Sequence, residues 1–241
     1  RLVELGSGSS LKTRYLLDVL KKPSVYVPVD ISRTALQDSC RKLHREYPAL
    51  DLRPVCADFT EPFPLPDGRR EARRSVVYFP GSTVGNFIPR RAVELLKLIA
   101  QEVGPRGGLL IGIDLKKDPH VLHRAYNDAR GITAAFDLNL LHRLNRECEA
   151  DFQLDCFRHY AFYNPQEGRM EMHLISCRDQ KVSLGGETIA FASGESICTE
   201  YSYKFEPKAF ASLAAEAGFT TVETWTDPRR HFGVVYLEVS S

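Results

Sequence analysis

Near its start the chain sets a short apolar run directly against a glycine turn, Leu2-Val3-Glu4-Leu5-Gly6-Ser7-Gly8-Ser9-Ser10. This reads as a strand emptying into a loop where backbone must approach a ligand closely. Apolar residues then recur at helical spacing over residues 11–20, at Leu11, Tyr15, Leu16, Val19 and Leu20. Strand, Gly-x-Gly loop and helix together open a nucleotide-binding βαβ unit. Few other arrangements can follow, because a βαβ unit commits the next strand to a parallel, right-handed crossover.

The loop departs from the dinucleotide pattern at one position. The third glycine of G-x-G-x-x-G would fall where Leu11 stands, and an acid, Glu4, precedes the loop. A pyrophosphate-binding turn uses that third glycine for close helix packing. A cofactor without phosphate does not need the same cradle, so the acidic-x-Gly-x-Gly loop leans towards S-adenosylmethionine (SAM). Two further strands end in acids. Val25-Tyr26-Val27-Pro28-Val29-Asp30 places Asp30 where a carboxylate binds ribose hydroxyls. Leu52-Arg53-Pro54-Val55-Cys56-Ala57-Asp58-Phe59 reads as a third strand ending in Asp-Phe. Each acid alone could be a loop residue or a helix N-cap; three in order are much more specific.

The alternation continues. Ser75-Val76-Val77-Tyr78-Phe79 reads as a buried strand, Pro80-Gly81-Ser82-Thr83-Val84-Gly85-Asn86 as its C-terminal loop, residues 91–103 as a helix closed by Gly104-Pro105, and residues 109–114 as a fifth strand. From there to about residue 205 the βα rhythm is lost. Residues 138–149 have a helical pattern, residues 151–163 and 169–178 read as a hairpin about Asn164-Pro165-Gln166-Glu167-Gly168, and residues 181–191 as another about Gly185-Gly186. A helix over 208–217 and strands over 220–226 and 232–239 then resume the sheet. The short connection Asp227-Pro228-Arg229-Arg230 between the last two makes the final strand antiparallel. The expected organisation is α/β: a Rossmann-like sheet with an antiparallel last strand over residues 1–115 and 206–241, and an inserted α+β substrate domain over 116–205.

The 241 residues carry a net charge of +1, and the isoelectric point is about 7.8. No strong field draws the chain to nucleic acid or to a membrane surface. Arg69-Arg70 and Arg73-Arg74 sit among Pro and Gly and read as a solvated loop. The six cysteines are scattered without a C-x-x-C pair, as expected of reduced thiols in a cytoplasmic protein. None of the seven histidines has a partner at metal-ligand spacing, so no metal is expected. No G-x-S-x-G nucleophile elbow is present. The first residue, Arg1, already lies inside the first strand, and a preceding segment is expected in a fold of this class.

Together these segments resemble the histidine-specific SAM-dependent methyltransferases, enzymes that make histidine betaine for ergothioneine synthesis. The resemblance rests on Val3-Glu4-Leu5-Gly6-Ser7-Gly8 with Lys12-Thr13-Arg14, on the Pro80–Asn86 loop, on Arg124-Ala125-Tyr126-Asn127-Asp128, and on Ile197-Cys198-Thr199-Glu200-Tyr201-Ser202. It spans essentially the whole chain. It implies a class I methyltransferase fold in which Gly6, Lys12, Asp30, Asp58 and Phe59 line the SAM site. Gly81, Asn86 and Tyr126 would hold the amino-acid head group, with Asn86 and Tyr126 nearest the reacting amine. Met172, Glu200 and Ser202 would surround the imidazole. In this family residues upstream of the glycine loop complete both pockets, and none of them is in this sequence.

The residue types suit that chemistry. Methyl transfer to a neutral amine asks for alignment and a free lone pair. Asn86 can accept from an amine and donate to a carboxylate, and Tyr126 can donate to the carboxylate; no general base is assigned. Glu200 can accept an imidazole N–H, and Ser202 can serve the other ring nitrogen as donor or acceptor. Plainer roles compete: Asn86 as a cap for the helix after Pro89, Tyr126 and Met172 as core packing, Glu200 and Ser202 as a solvated strand face. The expected reaction is SAM-dependent methylation of the α-amine of histidine, up to the trimethylated betaine, by a monomer with a small-molecule substrate. Two other readings stand beside it, an N-methyltransferase for another aromatic amino acid or amine, and a non-catalytic SAM- or amino-acid-binding module.

Overall fold

A computed structural model describes residues 1–8, 10–20 and 23–240; Ser9 of the glycine loop lies outside them. In chain order the elements are β1 (Leu2–Leu5), α1 (Thr13–Val19), β2 (Tyr26–Asp30), α2 (Arg33–Glu46), β3 (Val55–Cys56), β4 (Val76–Phe79), α3 (Pro89–Val103), β5 (Gly108–Asp114), α4 (Pro119–Tyr126) and α5 (Ile132–Glu147). They continue with β6 (Phe157–Asn164), β7 (Arg169–Ser176), β8 (Gln180–Leu184), β9 (Glu187–Phe191), β10 (Ser196–Tyr203), α6 (Pro207–Glu216), β11 (Phe219–Thr226) and β12 (Phe232–Val239). The chain divides into two compact units, Arg1–Leu115 with Phe205–Ser241, and Lys116–Lys204.

The first unit is built on a seven-stranded sheet of order β11-β12-β5-β4-β1-β2-β3. β1 lies between two parallel neighbours, β2 and β4, and all four of its residues are buried, as a strand covered on both faces must be. The order reverses at β1, so a crevice opens beyond the carboxyl ends of β1 and β4. β12 runs antiparallel to both β5 and β11. One face of the sheet carries Val3, Leu5, Val27, Val29, Val77, Ile111 and Leu237 against α3 and α6, which contribute Leu95, Leu96, Ile99, Phe210 and Ala214. The other face holds a smaller cluster of Leu2, Leu17, Tyr26 and Leu43, supplied in part by α1 and α2. Beside it, Tyr15, Leu16, Tyr78, Leu110, Phe232 and Val234 border an apolar groove.

The second unit has a three-stranded antiparallel sheet, β10-β7-β6, and a separate β8-β9 hairpin. Phe152, Phe157 and Phe191 pack edge-on or tilted around Leu141 and Leu174. A second cluster, Leu122, Ala161, Met170 and Met172, ties α4 to the sheet. Helix α5 begins at Ile132, well before the expected residue 138, because Asp128 accepts from the backbone N–H groups of Ile132 and Thr133 and fixes its first turn. Strand β6 begins later than expected, since residues 154–156 form a short 3₁₀ turn before it. β3 is only two residues long, and Leu52 adds a single bridge to Tyr26. Helix α4 was not expected, yet Asp118-Pro119 signals it: Asp118 caps the His120 N–H, and Pro119 stands where a missing N–H is harmless.

One glycine decides how the loop after β4 sits. A Cβ on Gly112 of β5 would lie 2.1 Å from the Pro80 carbonyl oxygen and 2.7 Å from the Phe232 ring. Only a bare backbone lets that loop lie across β5. Gly112→Val is therefore expected to push the Pro80–Gly81 loop aside and to destabilise the chain by about 1–3 kcal/mol, the usual range for overpacking. Urea denaturation of the variant beside the parent measures it, and an unchanged midpoint would show that the loop yields freely.

Candidate active site

The crevice at the order reversal is lined by residues 4–8, 10–12, Pro80, Gly81 and Thr83, and encloses about 280 Å³. Gly6 and Gly8 both have positive φ, +63° and +47°, which a side chain adopts only under strain. Asp30, at the end of β2, accepts from the Gly8 N–H at 3.0 Å and from the Ser32 N–H at 2.8 Å. It thus braces the glycine turn that its own strand faces. Asp58 accepts both Thr60 bonds, from N–H and hydroxyl, on one oxygen, Oδ1. The Thr60 hydroxyl, then its N–H, hold this carboxyl below its ordinary range. Phe59 lies edge-on to Phe79 and close enough to Gly6 that a Cβ there would touch its ring at 3.8 Å. Gly6, Lys12, Asp30 and Phe59 are thus gathered around one loop, with Gly81 opposite them across the crevice.

Two crevice residues carry more than their sequence pattern showed. Glu4 is buried and accepts from the hydroxyls of Thr13 and Tyr26, linking β1, α1 and β2. Burial pushes its carboxyl up; the hydroxyl donors Thr13 and Tyr26 and the Lys12 ammonium pull the other way. Glu4 in turn adds to the burial that lifts the Tyr78 phenol to about 12. Ser7 is also buried, and its Oγ has no hydrogen-bond partner among the described residues. A buried orphan hydroxyl at a ligand crevice calls for a partner that a ligand can supply. Polarity alone does not separate such a serine from the other serines of the loop.

The Pro80–Asn86 loop is pinned at Ser82, which takes the left-handed conformation (φ 59°) and accepts the Asp114 N–H on its Oγ at 2.7 Å. Asn86 ends the 3₁₀ turn Thr83–Asn86 and is exposed. It does not cap α3, whose N-cap is Ile88 without a side-chain bond.

In the second unit a pocket of about 200 Å³ is lined by Phe136, Asp137, Leu140, Met172, Thr199 and Glu200, among others. Met172 is both core and wall, since it packs with Met170 and Ala161. Glu200 and Ser202 pair with Met172 and Met170 across the ladder and so share a face of β10. Burial raises the Glu200 carboxyl, the Lys204 charge lowers it, and the Asp137 charge raises it again. Asp137 is held by His159 Nδ1 at 2.7 Å and by the Thr199 hydroxyl at 2.5 Å. His159 Nε2 lies 2.9 Å from the Tyr126 carbonyl, a pure acceptor, so that nitrogen carries a hydrogen. Tyr126 Oη donates to Ser202 Oγ at 2.8 Å, which joins residues expected at the head group and at the ring. Behind both stands a buried lysine, Lys204, that motif reading did not single out. A lysine two residues beyond Ser202, just past the end of β10, was the available signal.

Among the described residues one further group has donors of metal-ligand type. Glu171, His173 and Cys198 bring theirs within 4.8 Å of one another, but Glu171 already accepts from Arg169 and Asn164. No described helix is long and apolar enough to cross a membrane.

Strand order, antiparallel last strand and acid-tipped loops define a class I SAM-dependent methyltransferase. In keeping with that, a methyltransferase of this cofactor class from Clostridium acetobutylicum superimposes over all of this chain and 84% of its own, with a TM-score of 0.54 at 9% identity. The chain belongs to the family of histidine-specific, SAM-dependent methyltransferases, whose model matches residues 1–239. It is 42% identical to the histidine N-alpha-methyltransferase of Mycolicibacterium smegmatis over 97% of this chain and 73% of that protein. It is 29% identical to ergothioneine biosynthesis protein 1 of Neurospora crassa, over 93% of this chain and 26% of that longer protein.

Two outcomes follow for the crevice. Because burial raises Glu4, its native form keeps its proton to higher pH than the unfolded chain does. The stability this gives is complete below about pH 4.3, the unfolded value, and is lost as pH rises through the raised native value. Glu4→Gln keeps an oxygen for Thr13 and Tyr26 and should abolish that decline; thermal melts across the acid range measure it, and parallel curves for both chains would contradict it. Asp30→Ala should weaken SAM binding about ten- to a hundredfold, since a hydrogen bond to a charged group is worth roughly 1.5–3 kcal/mol. Calorimetric titration with SAM reads this, and an unchanged affinity removes Asp30 from the site.

Proposed function

We propose that this chain transfers methyl groups from SAM to the α-amine of histidine, up to the trimethylated betaine, the first step of ergothioneine synthesis. The observation that carries the substrate is the pair Glu200 and Ser202 on one strand face, beside a pocket walled by Met172. A carboxylate and a hydroxyl at that spacing answer the two nitrogens of an imidazole. A phenyl ring would leave both unpaired, and an indole, with its single N–H, would leave one. The names of the mycobacterial and fungal relatives support the same substrate and pathway.

The crevice residues fit the cofactor. Gly6, Ser7 and Lys12 would hold its amino-acid end, Asp30 its ribose hydroxyls, and Asp58 and Phe59 its adenine. The Ser7 Oγ, buried without a partner among the described residues, is the feature that such a polar ligand satisfies. Bound there, the sulfonium supplies an electrophilic methyl group. The protein's part is alignment: a near-attack arrangement of a neutral amine replaces acid–base machinery. Gly81, Asn86 and Tyr126 are assigned to the amino-acid head group. The Asn86 side chain can accept from the amine while donating to the carboxylate, which holds the nitrogen lone pair in one direction.

Incubation with SAM and histidine, followed by mass spectrometry, should show mono-, di- and trimethylated histidine, with phenylalanine left unmethylated. Equal turnover of the two amino acids would overturn the imidazole assignment. Glu200→Ala should weaken histidine binding about ten- to a hundredfold by loss of a charged hydrogen bond, with SAM binding unchanged. Parallel losses for both ligands would mean that Glu200 is structural.

A further inference from the structure

Lys204 closes β10's polar face and is only 3% exposed. Its Nζ donates to Ser202 Oγ at 2.7 Å and to Tyr126 Oη at 2.8 Å, and lies 4.8 Å from the centre of the Tyr126 ring. Tyr126 passes its own hydrogen to Ser202 Oγ. A serine hydroxyl has two lone pairs and one hydrogen. Here both lone pairs are taken, one by Lys204 and one by Tyr126. What Ser202 has left for anything else is its O–H.

We propose that Lys204 is a specificity-determining positioning residue that makes Ser202 an obligate donor, so that the pocket accepts only a ring presenting one N–H and one bare nitrogen. An ammonium has three donors and no acceptor, so no rotation of the Lys204–Ser202–Tyr126 triangle lets Lys204 accept in its turn. Glu200, two residues earlier on the same face, offers the opposite polarity, a carboxylate that accepts. The Lys204 charge also favours the ionised form of Glu200 against burial and the Asp137 charge. One buried cation therefore fixes the donor, and at the acceptor it opposes the burial that raises the Glu200 carboxyl. A neutral imidazole meets them with its two nitrogens in one orientation. A pyrrole ring of the same size satisfies Glu200 and leaves Ser202 unpaired. This rests on the assignment of the second-unit pocket to the substrate ring.

The test compares binding of histidine and of pyrrolylalanine, which keeps the ring N–H and lacks the ring acceptor. The parent should prefer histidine. In Lys204→Met, Ser202 recovers a lone pair, and the preference should fall about tenfold, the worth of one hydrogen bond at the upper end of its net range, with pyrrolylalanine affinity and SAM affinity little changed. Adding Ser202→Ala to Lys204→Met should cost no further preference, because the lysine acts only through that hydroxyl. Equal weakening of both amino acids would overturn the proposal, as the lysine would then merely hold the fold. Should Lys204→Met fail to fold, Tyr126→Phe frees the other lone pair of Ser202 and should likewise erode the preference; an undiminished preference there contradicts it. If Glu200→Gln and Ser202→Ala leave histidine binding untouched, the ring lies elsewhere, and the failure belongs to the pocket assignment.

Discussion

The first unit depends on a carboxylate placed where a sheet normally has an apolar side chain. Glu4 points into the smaller core beside Leu2, Leu17 and Tyr26, and two hydroxyls on two other elements converge on it. A carboxylate in that position is tolerated only because those donors meet it. The result is that the end of β1, the first turn of α1 and the start of β2 cannot move independently. The glycine loop leaves from this junction, and Asp30 ties its far side back to β2 through the Gly8 N–H. The glycine turn, which has little preference of its own, is thus held by acidic side chains, Glu4 before it and Asp30 at Gly8.

The second unit repeats the device with other residues. Asp137, His159 and Thr199 form one buried chain of hydrogen bonds, and Tyr126, Ser202 and Lys204 another. Such networks orient a hydroxyl or carboxylate before any ligand arrives, which is where discrimination between similar rings originates. Apolar packing through Met172, Met170 and Ala161 supplies the rigid floor.

Much of the first unit was legible because each of its signals is local. An apolar run tipped by an acid recurs three times, the first of them running into a glycine turn, and the Asp227–Arg230 connection is too short for anything but an antiparallel return. Boundaries moved where a side-chain cap decided them, as at Asp128 before α5, or where a strand was cut to the length its neighbour allowed, as at β3. The site was legible to the level of residue type. That Glu200 and Ser202 share a face follows from strand alternation alone. That Tyr126 meets Ser202 and that Lys204 lies behind both hydroxyls depend on how α4 packs against the β6–β7–β10 sheet, which no spacing in the sequence encodes.

The most direct test of the whole account is a crystal structure of the protein with S-adenosylhomocysteine and histidine bound. The account requires ribose hydroxyls on Asp30 and the imidazole between Glu200 and Ser202, with the Ser202 oxygen still within hydrogen-bond reach of Lys204. Histidine bound away from β10, or an imidazole that meets neither side chain, would contradict it.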